Sequence, residues 1–201
     1  MFERFKKKDR IKGIIKNWEE LYKRPLWGWA NSTEIIETIR PYVRGRVLDL
    51  GCGEGRYLIQ LNNIVGLDIS RNAITRARAR ARIYGINAEF VLGDGMNIPF
   101  KDETFECVLC MGVLQHFLEN ERKMVVDEVY RILKPYGIFV VSVSRVGDSR
   151  FGKGTCIEKN TFVRGGIPHH YFTHDELNEL LRDFDILISN DKIMIVCAKC
   201  P

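Results

Sequence analysis

The sequence predicts an α/β fold with a largely parallel sheet that ends in an antiparallel pair of strands. After Arg46, short apolar runs alternate with helical patterns, which is the signature of βαβ units joined by right-handed crossovers. Near the C-terminus, two strand-like runs flank Asn190-Asp191, a tight turn that signals a hairpin.

Taken in order, Ile11, Ile14, Ile15, Trp18, Leu21 and Tyr22 recur at helical spacing, so residues from about 2 to 23 read as an amphipathic helix. Pro25 ends it, and Trp27-Gly28-Trp29 forms an aromatic turn. Ser32 caps a second helix to about Tyr42, with Ile35, Ile36 and Ile39 on one face. Strands are expected at Val47–Leu50, Ile64–Ile69, Ala88–Leu92, Phe105–Met111 and Ile138–Val143. Helices are expected at Arg56–Leu61, Arg71–Tyr84 and Glu121–Leu133, the last stopping before Pro135-Tyr136-Gly137. Thr173 and Glu176 form a capping box for a helix to about Leu181, and Asp185–Ser189 and Ile193–Cys197 are the strands of the hairpin. The whole reads as one domain over 1–201, with a helical arm over 1–45 and an α/β core over 46–201.

At 201 residues, 45% hydrophobic and 28% charged, the chain is long enough to bury a core and is not a disordered polymer. No apolar run approaches the ~18 residues of a membrane span, and no apolar block follows the N-terminal lysines as in a secretory signal, so a cytoplasmic protein without membrane contact is expected. Residues 1–46 hold 12 Lys/Arg against 6 Asp/Glu, and the rest hold 19 against 20, so the basic excess belongs to the arm. Six cysteines include two C-x-x-C pairs, Cys107/Cys110 and Cys197/Cys200. Both fall in or beside strands, where residues three apart point to opposite faces, so no metal site is expected.

The chemistry concentrates at three strand ends. Val47–Leu50 runs into Gly51-Cys52-Gly53-Glu54-Gly55, a Gly-x-Gly-x-Gly turn that lets a ligand rest against bare main chain. Asp68 ends the second strand, where one carboxylate can accept from two ribose hydroxyls. Asp94, in Gly93-Asp94-Gly95-Met96, can accept from an exocyclic amine, and Met96 offers apolar surface to a purine. Together they describe a nucleoside crevice at the carboxyl ends of neighbouring strands. Phosphate-binding features are missing: there is no Gly-Lys-Ser/Thr, the glycine spacing differs from Gly-x-Gly-x-x-Gly, and Glu54 repels pyrophosphate while tolerating a cation.

The segments VLDLGCGEGRY, VGLDIS, GDGMNIPF, FECVLCMGVLQHF and RILKPYGIFVVSVS, in this order over about 47 to 144, resemble class I S-adenosylmethionine-dependent methyltransferases of the small-molecule-acceptor kind. The resemblance implies a Rossmann-like seven-stranded sheet with helices on both faces and its last strand antiparallel. It implies that Asp49, Gly51, Cys52 and Gly53 hold the methionine part of S-adenosylmethionine, and that Asp68 holds the ribose with Ile69 on the adenine. Asp94, Gly95 and Met96 would hold the adenine, and Met111, Gly112 and Val113 would line the reactive end. The product would be S-adenosylhomocysteine. Tyr136 departs from the family's LKPGG pattern, and this is expected to cost nothing.

His116, just after the fourth strand, is the candidate general base, with a structural, helix-capping histidine as the alternative. Acceptor-side candidates are Tyr22, Trp27 and Trp29 on an N-terminal lid, and His169, His170 and Tyr171 in the last third of the chain. Arg145 and Arg164 could hold a carboxylate or phosphate on the acceptor. Arg71, Arg76, Arg78, Arg80 and Arg82 give the third helix a basic outer face, which with the arm supports an RNA (tRNA) acceptor as the alternative to a small molecule. A nicotinamide-dependent oxidoreductase and a non-catalytic nucleoside-binding module are weaker readings. The acceptor's identity and the oligomeric state are not written in the sequence.

Overall fold

The computed structural model describes residues 2–23, 33–57, 61, 63–189 and 194–200. Trp27, Trp29, the Ser32 cap and the Asn190-Asp191 turn lie outside the described residues. Helix α1 (Phe2–Leu21) and the short α2 (Thr33–Ile39) precede β1 (Val47–Leu50). Then come β2 (Ile64–Asp68), α3 (Arg71–Ile83), β3 (Glu89–Leu92), β4 (Phe105–Met111), α4 (Glu119–Ile132) and β5 (Leu133–Ser142). Strands β6 (Thr155–Glu158), β7 (Thr161–Arg164) and β8 (Ile167–His170) follow, then α5 (His174–Leu180), β9 (Phe184–Ser189) and β10 (Met194–Lys199).

The main sheet has seven strands in the order β3-β2-β1-β4-β5-β10-β9. Strands β1 to β5 pair in parallel, and β10 runs antiparallel to both of its neighbours. This is the sheet the resemblance implies. Alternation along each strand divides the core in two. Leu48, Leu50, Val108, Cys110, Phe139 and Val141 face α4 and α5, meeting Val125, Val129, Leu177 and Leu181. Val47, Cys107, Leu109 and Val140 face the other way, meeting Ile36 and Ile39 of α2 and Ala77 of α3. Cys107 and Cys110 therefore belong to opposite faces, and burial pushes each thiol up to about 12.

Local signals decide the helix starts. The Ser70 side chain accepts from the Ala73 N–H at the start of α3, and the Thr173 hydroxyl accepts from Glu176 N at the start of α5. The buried stripe of α3 is Ala73, Ile74, Ala77 and Ala81, set by their period.

Four expectations change. No helix is described between β1 and β2: residues 53–57 are turns, and 58–60 lie outside the described residues. Helix α4 passes into β5 at Leu133, so the strand begins before the Pro135-Tyr136-Gly137 segment instead of after it. Tyr136 there has φ +60°, a left-handed conformation that strains a side chain with a Cβ, so the departure from LKPGG carries a cost. Residues 155–170 form a three-stranded antiparallel sheet of their own, β6-β7-β8, that no sequence pattern announced.

Candidate active site

The carboxyl ends of β1, β2, β3 and β4 open into a cavity of about 660 Å³. Gly51 (φ +69°) and Gly53 (φ +53°) turn the chain after β1 through conformations that side chains disfavour. A Cβ on Gly53 would stand 2.6 Å from the Tyr22 hydroxyl, and one on Gly51 would stand 2.4 Å from Val113. The turn is closed by Asp68, whose Oδ2 accepts from Gly53 N at 2.8 Å and whose Oδ1 accepts from Ser70 N at 2.9 Å. Burial raises the Asp68 pKa, and these N–H groups oppose the rise. Asp94 Oδ1 accepts from Met96 N at 2.9 Å and shapes the loop after β3.

Cys52, Ile69, Gly95, Met96, Met111, Gly112 and Val113 line the cavity together with Gly51, Gly53, Asp68 and Asp94. Asp49 does not. It is buried below the turn, its Oδ2 has no partner among the described residues, and burial followed by the nearby Asp68 charge pushes its carboxyl up to about 8. Glu54 is buried at the rim with Arg76 Nε at 3.6 Å and Arg80 Nη2 at 3.5 Å. Arg76 also donates to Tyr22 O at 2.9 Å. Two of the arginines of α3 thus turn inward, and the outer face keeps Arg71, Arg78 and Arg82 exposed. That is a thinner basic surface than the sequence pattern suggests.

Helix α1 forms a second wall. Its stripe Ile11, Ile14, Trp18 and Leu21 faces the cavity, and so does Tyr22 just after it. Glu19 anchors it: its carboxylate accepts from Ser70 Oγ, Arg71 N and Asn72 N at 2.7–3.0 Å, capping α3 from outside. Burial raises the Glu19 pKa, but these bonds outweigh it and hold the carboxyl below its ordinary value. Asn17 Nδ2 donates to Gly166 O at 3.0 Å, and Arg10 pairs with the buried Glu121.

The third wall comes from the 3-10 turn Leu114–His116 and the small sheet. His116 Nδ1 lies 2.8 Å from Pro168 O, and since a carbonyl only accepts, this assigns the ring proton to Nδ1 and leaves Nε2 as the acceptor. The ring meets Trp18 edge-on at 4.9 Å and His169 at 5.1 Å. Burial drives the His116 pKa down to about 4, against the Pro168 bond and with help from Arg164. His169 Nε2 is 2.8 Å from Ser144 Oγ, and burial, His116, Arg164 and Arg150 take its pKa down to about 3. Both imidazoles are neutral at pH 7.

Of the other acceptor-side candidates, Tyr22, Arg164 and His169 line the cavity. His170 and Tyr171 are buried outside the cavity wall: His170 bonds Thr161 Oγ1 at 2.8 Å and faces Glu176 at 2.7 Å, which ties β7, β8 and α5 together. Arg145 also stands outside the wall, held by Asp148. The sequence reading missed Trp18, Arg10, Gln115 and Arg150. Trp18 carried a signal, its place on the apolar stripe of α1; Arg150 carried none.

Residues 48–141 match a family model described as a methyltransferase domain. The tRNA N(3)-cytidine methyltransferase METTL2 of Gallus gallus is 30% identical over 67% of this chain and 41% of its own length. The carboxy-S-adenosyl-L-methionine synthase of Wolinella succinogenes is 28% identical over 78% of this chain and 68% of its own. The structure of a SAM-dependent methyltransferase from Methanosarcina mazei superposes with a TM-score of 0.70 at 25% identity, covering 81% of this chain and 97% of that one. Fold and site define a Rossmann-like, cofactor-binding α/β domain. Residues 48–141 carry a methyltransferase domain, and the sheet around it has the fold of class I S-adenosylmethionine-dependent methyltransferases.

Among the described residues, no helix is long and apolar enough to cross a membrane.

Proposed function

We propose that this protein methylates a small molecule at an O, N or S nucleophile, with S-adenosylmethionine as donor. The observation that carries this reading is the continuity of one cavity, from the glycine turn to His116 and His169, walled along its side by α1. A space bounded in this way suits an acceptor of metabolite size better than a polynucleotide.

The residues fit the donor. Asp49 Oδ2 is a buried acceptor awaiting a donor, and an ammonium group nearby would restore its charge. Each Asp68 oxygen holds one backbone N–H and keeps a lone pair for a ribose hydroxyl. Asp94, Gly95 and Met96 border the adenine end, with Ile69 beside it. Gly51, Cys52 and Gly53 border the methionine end, and Met111, Gly112 and Val113 the reactive one. When bound, the donor supplies a methyl group already activated by its positive sulfur.

The chain itself has then to align the acceptor, exclude water and receive a proton. Helix α1 is the lid that excludes water. His116, with Nδ1 pinned by Pro168, offers Nε2 to an acceptor that carries a proton.

RNA is the second reading, supported by the exposed Arg71, Arg78 and Arg82 and by likeness to a tRNA methyltransferase over less than half of that relative. Transfer of radiolabelled methyl to a metabolite panel and to tRNA tests both. Label in a metabolite fraction is expected. Label in tRNA alone refutes the small-molecule reading, and failure to bind S-adenosylhomocysteine in a calorimeter refutes both.

A further inference from the structure

From the placement of Arg150 and Arg164 we infer that the acceptor is an acid, a small molecule whose carboxylate or phosphate docks between these two guanidinium groups. The inference rests on the methyltransferase reading above and names the acceptor's class.

Both arginines line the cavity at the end bounded by Ile167, His169 and His116. Among the described residues, neither is paired with a carboxylate. Two arginines of the other walls behave differently: Arg10 faces Glu121, and Arg80 faces Glu54. Of the acids that line the cavity, Asp68 and Asp94 stand at the ends of β2 and β3, and Glu54 and Glu121 are already paired with arginines. Arg145, the other arginine that the sequence offered, is satisfied by Asp148.

Both arginines act on the His169 ring, and Tyr171 ties the Arg164 guanidinium to the backbone of the Arg150 loop. Arg164 Nη2 donates to the Tyr171 hydroxyl at 3.2 Å, and that hydroxyl donates to the Arg150 carbonyl at 2.9 Å. Tyr171 is fully buried and packs at a tilt against His169, ring centres 4.8 Å apart, so it acts as a positioning residue that fixes Arg164 beside the Arg150 loop. Arg164 is half-buried, and a cation removed from water without a counter-charge is costly. An anion relieves that cost and gains the paired N–H donors of a guanidinium. The neighbouring histidines add no charge, because burial, with Arg164 acting on both and Arg150 on His169, keeps them neutral.

The test uses the full chain saturated with S-adenosylhomocysteine, titrated with benzoate, phenyl phosphate and benzamide under ligand-observed NMR. The expected result is that at least one of the two anions binds about tenfold or more tighter than the neutral amide. The stronger of the two tells carboxylate from phosphate. Arg164→Gln and Arg150→Gln should each erase the preference, and Arg164→Lys should keep part of it, while S-adenosylhomocysteine affinity stays within about twofold. Equal binding of benzamide and both anions, or binding of neither anion, overturns the inference. So does a large loss of S-adenosylhomocysteine affinity in Arg164→Gln, which would give the arginine to the cofactor's own carboxylate. If wild-type protein binds no S-adenosylhomocysteine, the methyltransferase reading fails instead.

Discussion

Replacing Asp49 with Asn should make the free protein more stable at neutral and alkaline pH while weakening its hold on the cofactor. The carboxyl is buried with one oxygen unpartnered, beside the charge of Asp68, and its pKa rises from the ordinary 3.8 to about 8. A raised pKa means that the folded state binds the proton more tightly than the unfolded chain. The stability contributed by protonated Asp49 is therefore complete below pH ~4 and is lost progressively as pH rises through 8. At about 1.36 kcal/mol per pH unit, the full span is roughly 5–6 kcal/mol. Relaxation and an imperfectly bonded Asn amide reduce the gain to about 2–4 kcal/mol. Urea denaturation of both proteins from pH 5 to 9 measures it: the difference should widen with pH. Calorimetry in buffers of different ionisation enthalpy should show wild-type protein releasing a proton on binding S-adenosylmethionine near pH 7, and Asp49→Asn releasing less. A stability difference that stays flat or narrows toward pH 9 would refute the electrostatic reasoning.

Three further outcomes are expected. Tyr136→Gly removes a left-handed side chain with φ +60° and should stabilise by about 1 kcal/mol in urea, the strain relieved exceeding the entropy that glycine adds; a loss of stability would contradict this. Glu19→Ala removes the outside cap on α3 and should cost about 1–2 kcal/mol by thermal melting at pH 7. Because the Glu19 carboxyl lies below its ordinary pKa, its contribution is present above about 4.5 and lost as pH falls further, so wild type and variant should converge in acid. His116→Ala should lower methyl transfer to a hydroxyl or amine acceptor by about 10²–10⁴ and leave S-adenosylhomocysteine affinity within twofold, measured by single turnover and calorimetry. With the ring pKa near 4, wild-type transfer should show no histidine-like inflection between pH 5.5 and 8.

The strand-end rim of the cavity was legible because its signals are local. Gly51–Gly53, Asp68 and Asp94 each sit within a few residues of a strand end, and strand ends in a parallel sheet share one rim. The acceptor side depends on long-range placement. His169 and His170 are adjacent on β8, so strand parity sends one to the cavity and the other to Glu176. The short, mixed sequences of β6 to β8 offer no apolar alternation from which that parity could be read. Arg76 and Arg80 look like solvent-facing charge until Glu54, brought over by the glycine turn, draws them in.

The excursion that carries β6, β7 and β8 begins and ends at one point. Phe172 N donates to Ser144 O at 2.9 Å, and Val146 N donates to Phe172 O at 3.0 Å. Between those stitches the segment pairs only with itself among the described strands. Closing a loop costs entropy that grows only slowly with its length, and here the backbone closure lies at the base, with side-chain ties from Asn17 and His116 further out. Substitution, lengthening or exchange of this segment thus leaves the register of the seven-stranded sheet untouched while replacing Arg150, Arg164, Ile167 and His169 together. On the proposed acid-acceptor reading, a segment transplanted from a homologous scaffold would bring its own set of cavity-lining residues in one piece.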